Sequence, residues 1–150
     1  MTYSIFDIAD WFLSKESMTH KKLQKLCYYT QAWGLALYNI RIMDTRFEAW
    51  IHGPVSEQLF AKYESAGWQK IPQTDSAVEF DEQTEDVLEN VWYRYGDLTG
   101  DELEAVTHEE TPWQEKREGM TRQTPGYAVI SEDTMRTFYQ QQMKVEQVNC

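Results

Sequence analysis

The sequence predicts a mainly α-helical protein, with one compact helical domain over residues 1–150 built around a central helix at about 20–39. Apolar and small residues recur every three or four positions from Lys22 to Leu37, the spacing that places them on one stripe of a helix. Helix-capping residues also precede several other apolar segments. Only Phe47–His52 alternates with the period of two that is typical of a strand, so the prediction allows a short two-strand ribbon beside the helices.

The central helix is apolar or small over most of its circumference. Such a helix must be covered on several sides, so we expect the neighbouring segments to pack around it. A narrow strip led by Lys21, Lys25 and Tyr28 is the part that we expect to face outward. Thr19 is the predicted N-cap of this helix, and Asn39 is the predicted stop at its end.

The segments on either side of the central helix carry their own signals. Ser4 is the expected N-cap of a first helix that ends near Lys15. Gly53-Pro54 follows the extended segment, and Pro54 suits the first turn of a helix through Ala66. Val78–Phe80 is the expected second strand of the ribbon.

Four further caps divide the second half of the chain into helices. Asp81 opens an acidic helix that ends at Gly96, and Thr99 matches a capping box. Thr111 precedes a proline at the first helical position, and Ser131 opens a last helix. We expect the residues after Lys144 to fray. The four predicted caps are Asp81, Thr99, Thr111 and Ser131.

The formal net charge of −11 lies entirely in the second half of the chain. Residues 1–75 hold eight Lys or Arg and eight Asp or Glu, whereas residues 76–150 hold six and seventeen. Such a field repels phosphate backbones and attracts basic partners, so we predict no direct binding to nucleic acid. A solvated face that keeps the protein soluble is the alternative interpretation.

The cellular location follows from what the chain lacks. No apolar run approaches the roughly 20 residues that span a bilayer, and Asp7 and Asp10 interrupt the apolar residues near the start, so we expect neither a membrane segment nor a signal peptide. We expect Cys27 and Cys150 to be free thiols in a reducing cytoplasm.

No motif in the sequence predicts a catalytic residue, a cofactor site or a metal site. His108-Glu109 begins like a helical zinc motif, but Pro112 stands where that motif needs its second histidine. His20, His52 and His108 are far apart without local pairing, which is typical of ordinary structural residues. Glu109-Glu110 is the one carboxylate pair that merits inspection, because a Pro-Trp turn follows it.

Three segments together resemble one known family. They are Lys22–Tyr29, Phe47–Val55, and Thr107-His108 with Pro112-Trp113. In this order they resemble the Panacea domain, the family of SocA-like antitoxins and phage-associated GepA-like proteins, over most of the chain from about Ile5 to Tyr139. Members often carry Ala-Arg after the Pro-Trp pair, where this chain has Lys116-Arg117, which leaves the charge partner of Arg117 open.

The resemblance implies a mainly helical domain of bacterial toxin–antitoxin loci and prophages. It implies an antitoxin that neutralises the toxin encoded beside it by direct binding, and it supplies no catalytic residue. One branch of the family acts as an adaptor that delivers the toxin to a protease, for which the segment after Lys144 is the candidate docking site. A phage-associated hydrolase using His52, His108 and Glu109 and an acidic mimic of nucleic acid are further alternatives.

The expected partner is a protein toxin with a basic surface, and a protease is the expected partner under the adaptor alternative. Aromatic and arginine side chains dominate the energies of protein interfaces, and charge complementarity mainly raises the association rate and selects partners. Trp33, Trp50 and Trp113 nevertheless suit a core better than a contact surface. The predicted partner-binding residues are Tyr28, Trp50, His52, Glu79, Glu82, Glu85, Asp86, Glu89, His108 and Glu109.

Overall fold

Helices form most of the protein, as the sequence predicts. The computed structural model describes residues 2–149. The helices are α1 (Ile5–Lys15), α2 (His20–Tyr38), α3 (Glu57–Tyr63), α4 (Glu82–Tyr95), α5 (Gly100–His108), α6 (Thr111–Glu115) and α7 (Glu132–Asn149). The short strands are β1 (Met18–Thr19), β2 (Glu48–Trp50), β3 (Gly53–Val55) and β4 (Lys70–Ile71). A single 3-10 turn, Glu64–Ala66, continues α3 and leads to Gly67.

Helix α2 lies at the centre, with α1, α3, α4, α5, α7 and β3 packed against it. Every residue from Lys22 to Ala36 is buried. Both predicted caps are confirmed: the Thr19 hydroxyl accepts a hydrogen bond from the Lys22 amide at 3.3 Å, and Asn39 has the left-handed conformation, with φ at 54°. The helix therefore begins and ends where its local sequence directs it.

The outward strip predicted on α2 is wrong for two of its three residues. Lys25 and Tyr28 are each only 1% exposed, whereas Lys21 is half-buried. Strand β3 covers the Lys25 side, and α7 covers the Tyr28 side. Each polar tip finds a bond there: Lys25 Nζ donates to Pro54 O at 3.3 Å, and the hydroxyl oxygens of Tyr28 and Tyr139 lie 3.1 Å apart.

The two-strand ribbon exists, but its second strand is β3 rather than Val78–Phe80. Strand β2 pairs antiparallel with β3, so that Ala49 lies opposite Pro54. Pro54 is therefore in a strand, and α3 begins three residues later at Glu57. Proline is tolerated in β3 because a two-strand ribbon leaves each strand one unpaired edge. A second ribbon, β1 with β4, was not predicted.

The helices of the second half follow their caps closely. The Asp81 side chain accepts from the Thr84 amide, Thr99 and Glu102 form a capping box, and the Ser131 hydroxyl accepts from the Thr134 amide. The exception is α6, whose N-cap is Glu110, one residue before the predicted Thr111.

The last helix extends further than the sequence predicts, and Cys27 is a free thiol as predicted. Helix α7 continues past Lys144 to Asn149, where the sequence favours fraying. Within residues 2–149, none of the helices has the length and apolar character that crossing a membrane requires. Cys27 is buried and free, and burial raises the pKa of its thiol; the prediction for Cys150 lies outside the described residues.

Candidate interaction site

An open cavity of about 620 Å³ lies beside the first half of α2. Several aromatic side chains line it: the centroids of Trp50 and Phe60 are 5.0 Å apart, and those of Trp50 and Tyr127 are 5.6 Å apart. Trp68 and Tyr127 are 74% and 63% exposed at its rim. Exposed aromatic side chains around a concave surface are typical of a site that binds another molecule.

Lys25 contributes a buried amine to this cavity. Burial lowers the pKa of Lys25 to about 7, against an opposing effect of the Glu104 carboxylate. Glu104 Oε1 is already paired with Lys21 Nζ and lies 3.1 Å from His52 Nδ1. Gly53 makes room for the amine: its φ is +108°, and a Cβ there would lie 2.7 Å from Lys25 Cε.

His20 is on the same helix as Lys25 and also lines the cavity. Its ring centroid is 5.6 Å from that of Phe60, and burial lowers the pKa of its imidazole. Among residues 2–149 no group hydrogen-bonds to its buried Nδ1 atom. A buried polar atom without a partner is costly, but this atom is enclosed by protein and does not face the open space of the cavity.

A loop held by Arg117 forms the far wall of the cavity. The buried Arg117 guanidinium donates to Ala49 O at 3.3 Å, to Thr121 O at 3.3 Å and to Thr124 O at 2.6 Å. The partners of this side chain are therefore main-chain carbonyls, which answers the question that the Lys116-Arg117 departure raised. Gly126 is required beside it, because a Cβ there would lie 2.6 Å from Arg117 Nη1.

A second concave surface lies on α4 and is acidic. Tyr38 and Phe80 line it together with Glu82, Glu85, Asp86 and Glu89. Two of the acids also have structural bonds, because Asp86 accepts from the Tyr38 hydroxyl and Glu85 accepts from the Trp11 indole. Glu79 is exposed but lies outside this acidic groove.

A buried network centred on Glu110 joins α2 to the last helix. The hydroxyls of Tyr29 and Tyr139 donate to Glu110 Oε1 at 2.7 and 2.8 Å, and the hydroxyl of Tyr28 contacts that of Tyr139. Burial raises the pKa of the Glu110 carboxyl to about 7, although both tyrosine hydrogen bonds lower it. Tyr28 is thus part of the core and offers no surface to a partner.

The predicted partner-binding residues fall into separate places. Trp50 and His52 line the aromatic cavity, and the acids of α4 line the groove described above. His108 is buried: its Nε2 atom lies 2.9 Å from Ile51 O, and its ring stacks on Trp113 at 4.1 Å. Glu109 is exposed next to it. From Thr2 to Asn149, no group of three or more His, Cys, Asp or Glu side chains could hold a metal ion.

Sequence reasoning missed Lys25, Trp68 and Tyr127 as lining residues of the cavity. A signal for the first existed: Lys21, Lys22 and Lys25 are charged residues on a helix that is otherwise almost wholly apolar. Lysines on such a helix either face outward or lie against another polar site. The sequence-based prediction used the first alternative, whereas Lys25 follows the second. Trp68 and Tyr127 lie in irregular segments, where no periodicity indicates direction.

Residues 23–114 match the model of the family described as antitoxin SocA-like, Panacea domain. The match covers more than half of the chain. This chain belongs to the SocA-like antitoxin family. The family segment runs from the second turn of α2 to Trp113-Gln114 in α6, so it holds the β2–β3 ribbon and the acidic helix, whereas α1 and α7 lie outside it. Searches of curated proteins and of solved structures each find no match.

The family match confirms the resemblance inferred from the three sequence segments, over a shorter span than Ile5 to Tyr139. All three segments lie within the matched region, apart from Lys22 immediately before it. An antitoxin family implies a protein partner, and such a domain is not typically an enzyme.

Proposed function

We propose that this protein is an antitoxin that neutralises a protein toxin by binding it directly. The observation that carries the proposal is membership of the SocA-like antitoxin family across residues 23–114. The proposed activity is binding alone, without a catalytic step, a cofactor or a direct contact with nucleic acid. It takes place in the cytoplasm, where an antitoxin meets a toxin made by the same cell.

Co-expression with the product of the adjacent reading frame tests this function. We expect that product to stop growth when expressed alone, and we expect this protein to restore growth and to co-purify with it. A neighbouring product that poisons cells equally in the presence and absence of this protein would refute the proposal.

The acidic groove of α4 is our proposed site for the basic surface of the toxin. Four carboxylates line it, and two aromatic side chains, Tyr38 and Phe80, lie among them. Charge complementarity mainly accelerates association and selects partners, whereas aromatic contacts contribute most of the binding energy. Both kinds of group are present on this one surface, and most of the excess negative charge lies in the same half of the chain.

A matched pair of charge-reversal variants tests the location. Glu82→Lys with Glu89→Lys changes two exposed carboxylates of the groove that have no structural bond within residues 2–149. Asp97→Lys with Glu118→Lys makes the same change of net charge at exposed positions elsewhere. We expect the first variant to slow association with the toxin by about tenfold at low ionic strength, with a smaller effect at high salt. Equal rates for the two variants would place the toxin surface elsewhere.

A further inference from the structure

The aromatic cavity contains a polar group that the protein itself does not satisfy. Lys25 Nζ has three donors, yet the one hydrogen bond that it makes within residues 2–149 is the 3.3 Å contact with Pro54 O. Glu104 contributes the nearby negative charge, but Lys21 and His52 share its Oε1 atom. Buried amines are normally paired, so Lys25 has an unfilled position for an anionic acceptor.

His20 lines the same cavity but offers it no donor through Nδ1. That atom is enclosed by protein, so a ligand in the cavity does not reach it. Lys25 is therefore the lining group with the unfilled donor position, and the rigid helix α2 positions it.

Most of the remaining surface of the cavity is apolar, although Lys21, Gln24, His52 and Glu64 also line it. Trp50, Phe60, Trp68 and Tyr127 form its walls, and its volume of about 620 Å³ lies within the range of small-molecule sites, roughly 300–1,000 Å³. An apolar cavity with a few polar groups suits a molecule that has an apolar body and one polar end.

We propose that this cavity binds a small organic carboxylate whose apolar or aromatic body lies among the cavity rings and whose carboxylate accepts a hydrogen bond from Lys25. This site is separate from the acidic groove, so the inference does not depend on the antitoxin function proposed above.

The charge of the ligand follows from the groups that face Lys25. Glu104 of α5 favours the charged amine, whereas Lys21 of α2 and burial disfavour it, which lowers the pKa of Lys25 to about 7. Burial and then the Lys25 charge lower the pKa of the His20 imidazole, whereas Glu64, which also lines the cavity, raises it. A carboxylate restores the ammonium form and pairs one charge with one charge.

Isothermal titration calorimetry with the full chain tests the proposal. The probes are 3-phenylpropionate and its neutral isostere 3-phenylpropionamide, which have the same ring and chain length. We expect the carboxylate to bind roughly tenfold more tightly than the amide or better, because a charge-assisted hydrogen bond is stronger than a neutral one. Equal affinities, or no saturable heat with either probe, would overturn the proposal.

Three variants assign the effect to individual side chains. Lys25→Met keeps an unbranched chain and removes a buried amine, so folding is retained. We expect its affinity for the carboxylate to fall roughly tenfold and its affinity for the amide to fall less, because the amide loses only a neutral hydrogen bond. Lys70→Met changes an exposed lysine outside the cavity and should leave both affinities unchanged. Trp68→Ala alters only an exposed wall residue and should weaken both probes equally. Undiminished binding of the carboxylate to Lys25→Met would refute the proposed contact.

Discussion

Replacing Glu110 by glutamine should change how the stability of the protein depends on pH. The carboxyl of Glu110 accepts two tyrosine hydroxyls in the core, at 2.7 and 2.8 Å. The amide oxygen of a glutamine can accept the same two hydrogen bonds. The substitution therefore keeps the geometry of the network and removes only the charge that appears when the carboxyl ionises.

The magnitude follows from the pKa of Glu110, which burial raises from 4.5 to about 7. Below pH 4.5 the carboxyl is protonated in both the folded and the unfolded chain, and its stabilising effect is fully present. Between pH 4.5 and 7 the folded protein retains a proton that the unfolded chain has lost, so stability falls as the pH rises through this window. Each pKa unit corresponds to about 1.4 kcal/mol, which gives a total loss of roughly 3–4 kcal/mol.

Urea denaturation at several pH values measures this effect. We expect the free energy of unfolding of Glu110→Gln, relative to that of the original protein, to increase by about 2 kcal/mol between pH 5 and pH 8. Glu109→Gln is the matched control, since it removes the same charge from an exposed neighbour. Its difference from the original protein should stay within about 0.5 kcal/mol over the same range.

A difference for Glu110→Gln that stays constant from pH 5 to pH 8 would refute this reasoning. It would mean that the carboxyl ionises in the folded core as readily as in the unfolded chain. A parallel slope in both variants would likewise show that net charge, rather than the tyrosine network, governs the pH dependence.

Three other perturbations have defined outcomes. Arg117→Lys should destabilise the protein by about 2 kcal/mol in urea titrations, because an ammonium cannot span the carbonyls that the planar guanidinium reaches; a change below about 0.5 kcal/mol would contradict that role. Gly53→Ala should lower the free energy of unfolding by about 1–3 kcal/mol in the same assay, because φ is +108° and the new Cβ would meet Lys25. Gly67→Ala is the control for steric overlap, since its Cβ would meet no atom within 4 Å. Deleting residues 145–150 removes the exposed Arg94–Glu146 ion pair and should lower the free energy of unfolding by less than about 1 kcal/mol. If the protein blocks its toxin, the truncated protein should still protect cells. Loss of protection by the folded truncation would favour delivery of the toxin to a protease.

The parts of the fold that could be predicted are those that short-range chemistry decides. Four cap side chains each accept a hydrogen bond from an amide two or three residues further along the chain: Ser4, Thr19, Asp81 and Thr99. Both partners of each bond therefore lie within a few neighbouring residues of the sequence. Helical spacing decided the inward faces in the same way. These local signals agree with one another, which is why the mainly helical architecture was predictable.

The errors concern contacts between segments that are distant in sequence. The pairing of β2 with β3 instead of Val78–Phe80 depends on where the chain returns in space. Lys25 was expected to face outward because lysine is usually solvated, and only the positions of β3 and α5 bury it. The cavity follows the same rule, since its walls come from segments as far apart as His20 and Tyr127.

The contacts of Arg117 have a consequence for how the cavity wall tolerates change. Its guanidinium fixes the backbone of the 118–126 loop through hydrogen bonds to main-chain carbonyl oxygens. Every amino acid has such an oxygen. Most side chains of this loop can therefore be exchanged without loss of these contacts. The exceptions are Gly126, where the guanidinium leaves no space, and Gly119, whose φ of +78° favours glycine. Because one buried cation fixes the backbone of the rim, substitutions of exposed side chains can change which ligands the cavity accommodates without changing its shape.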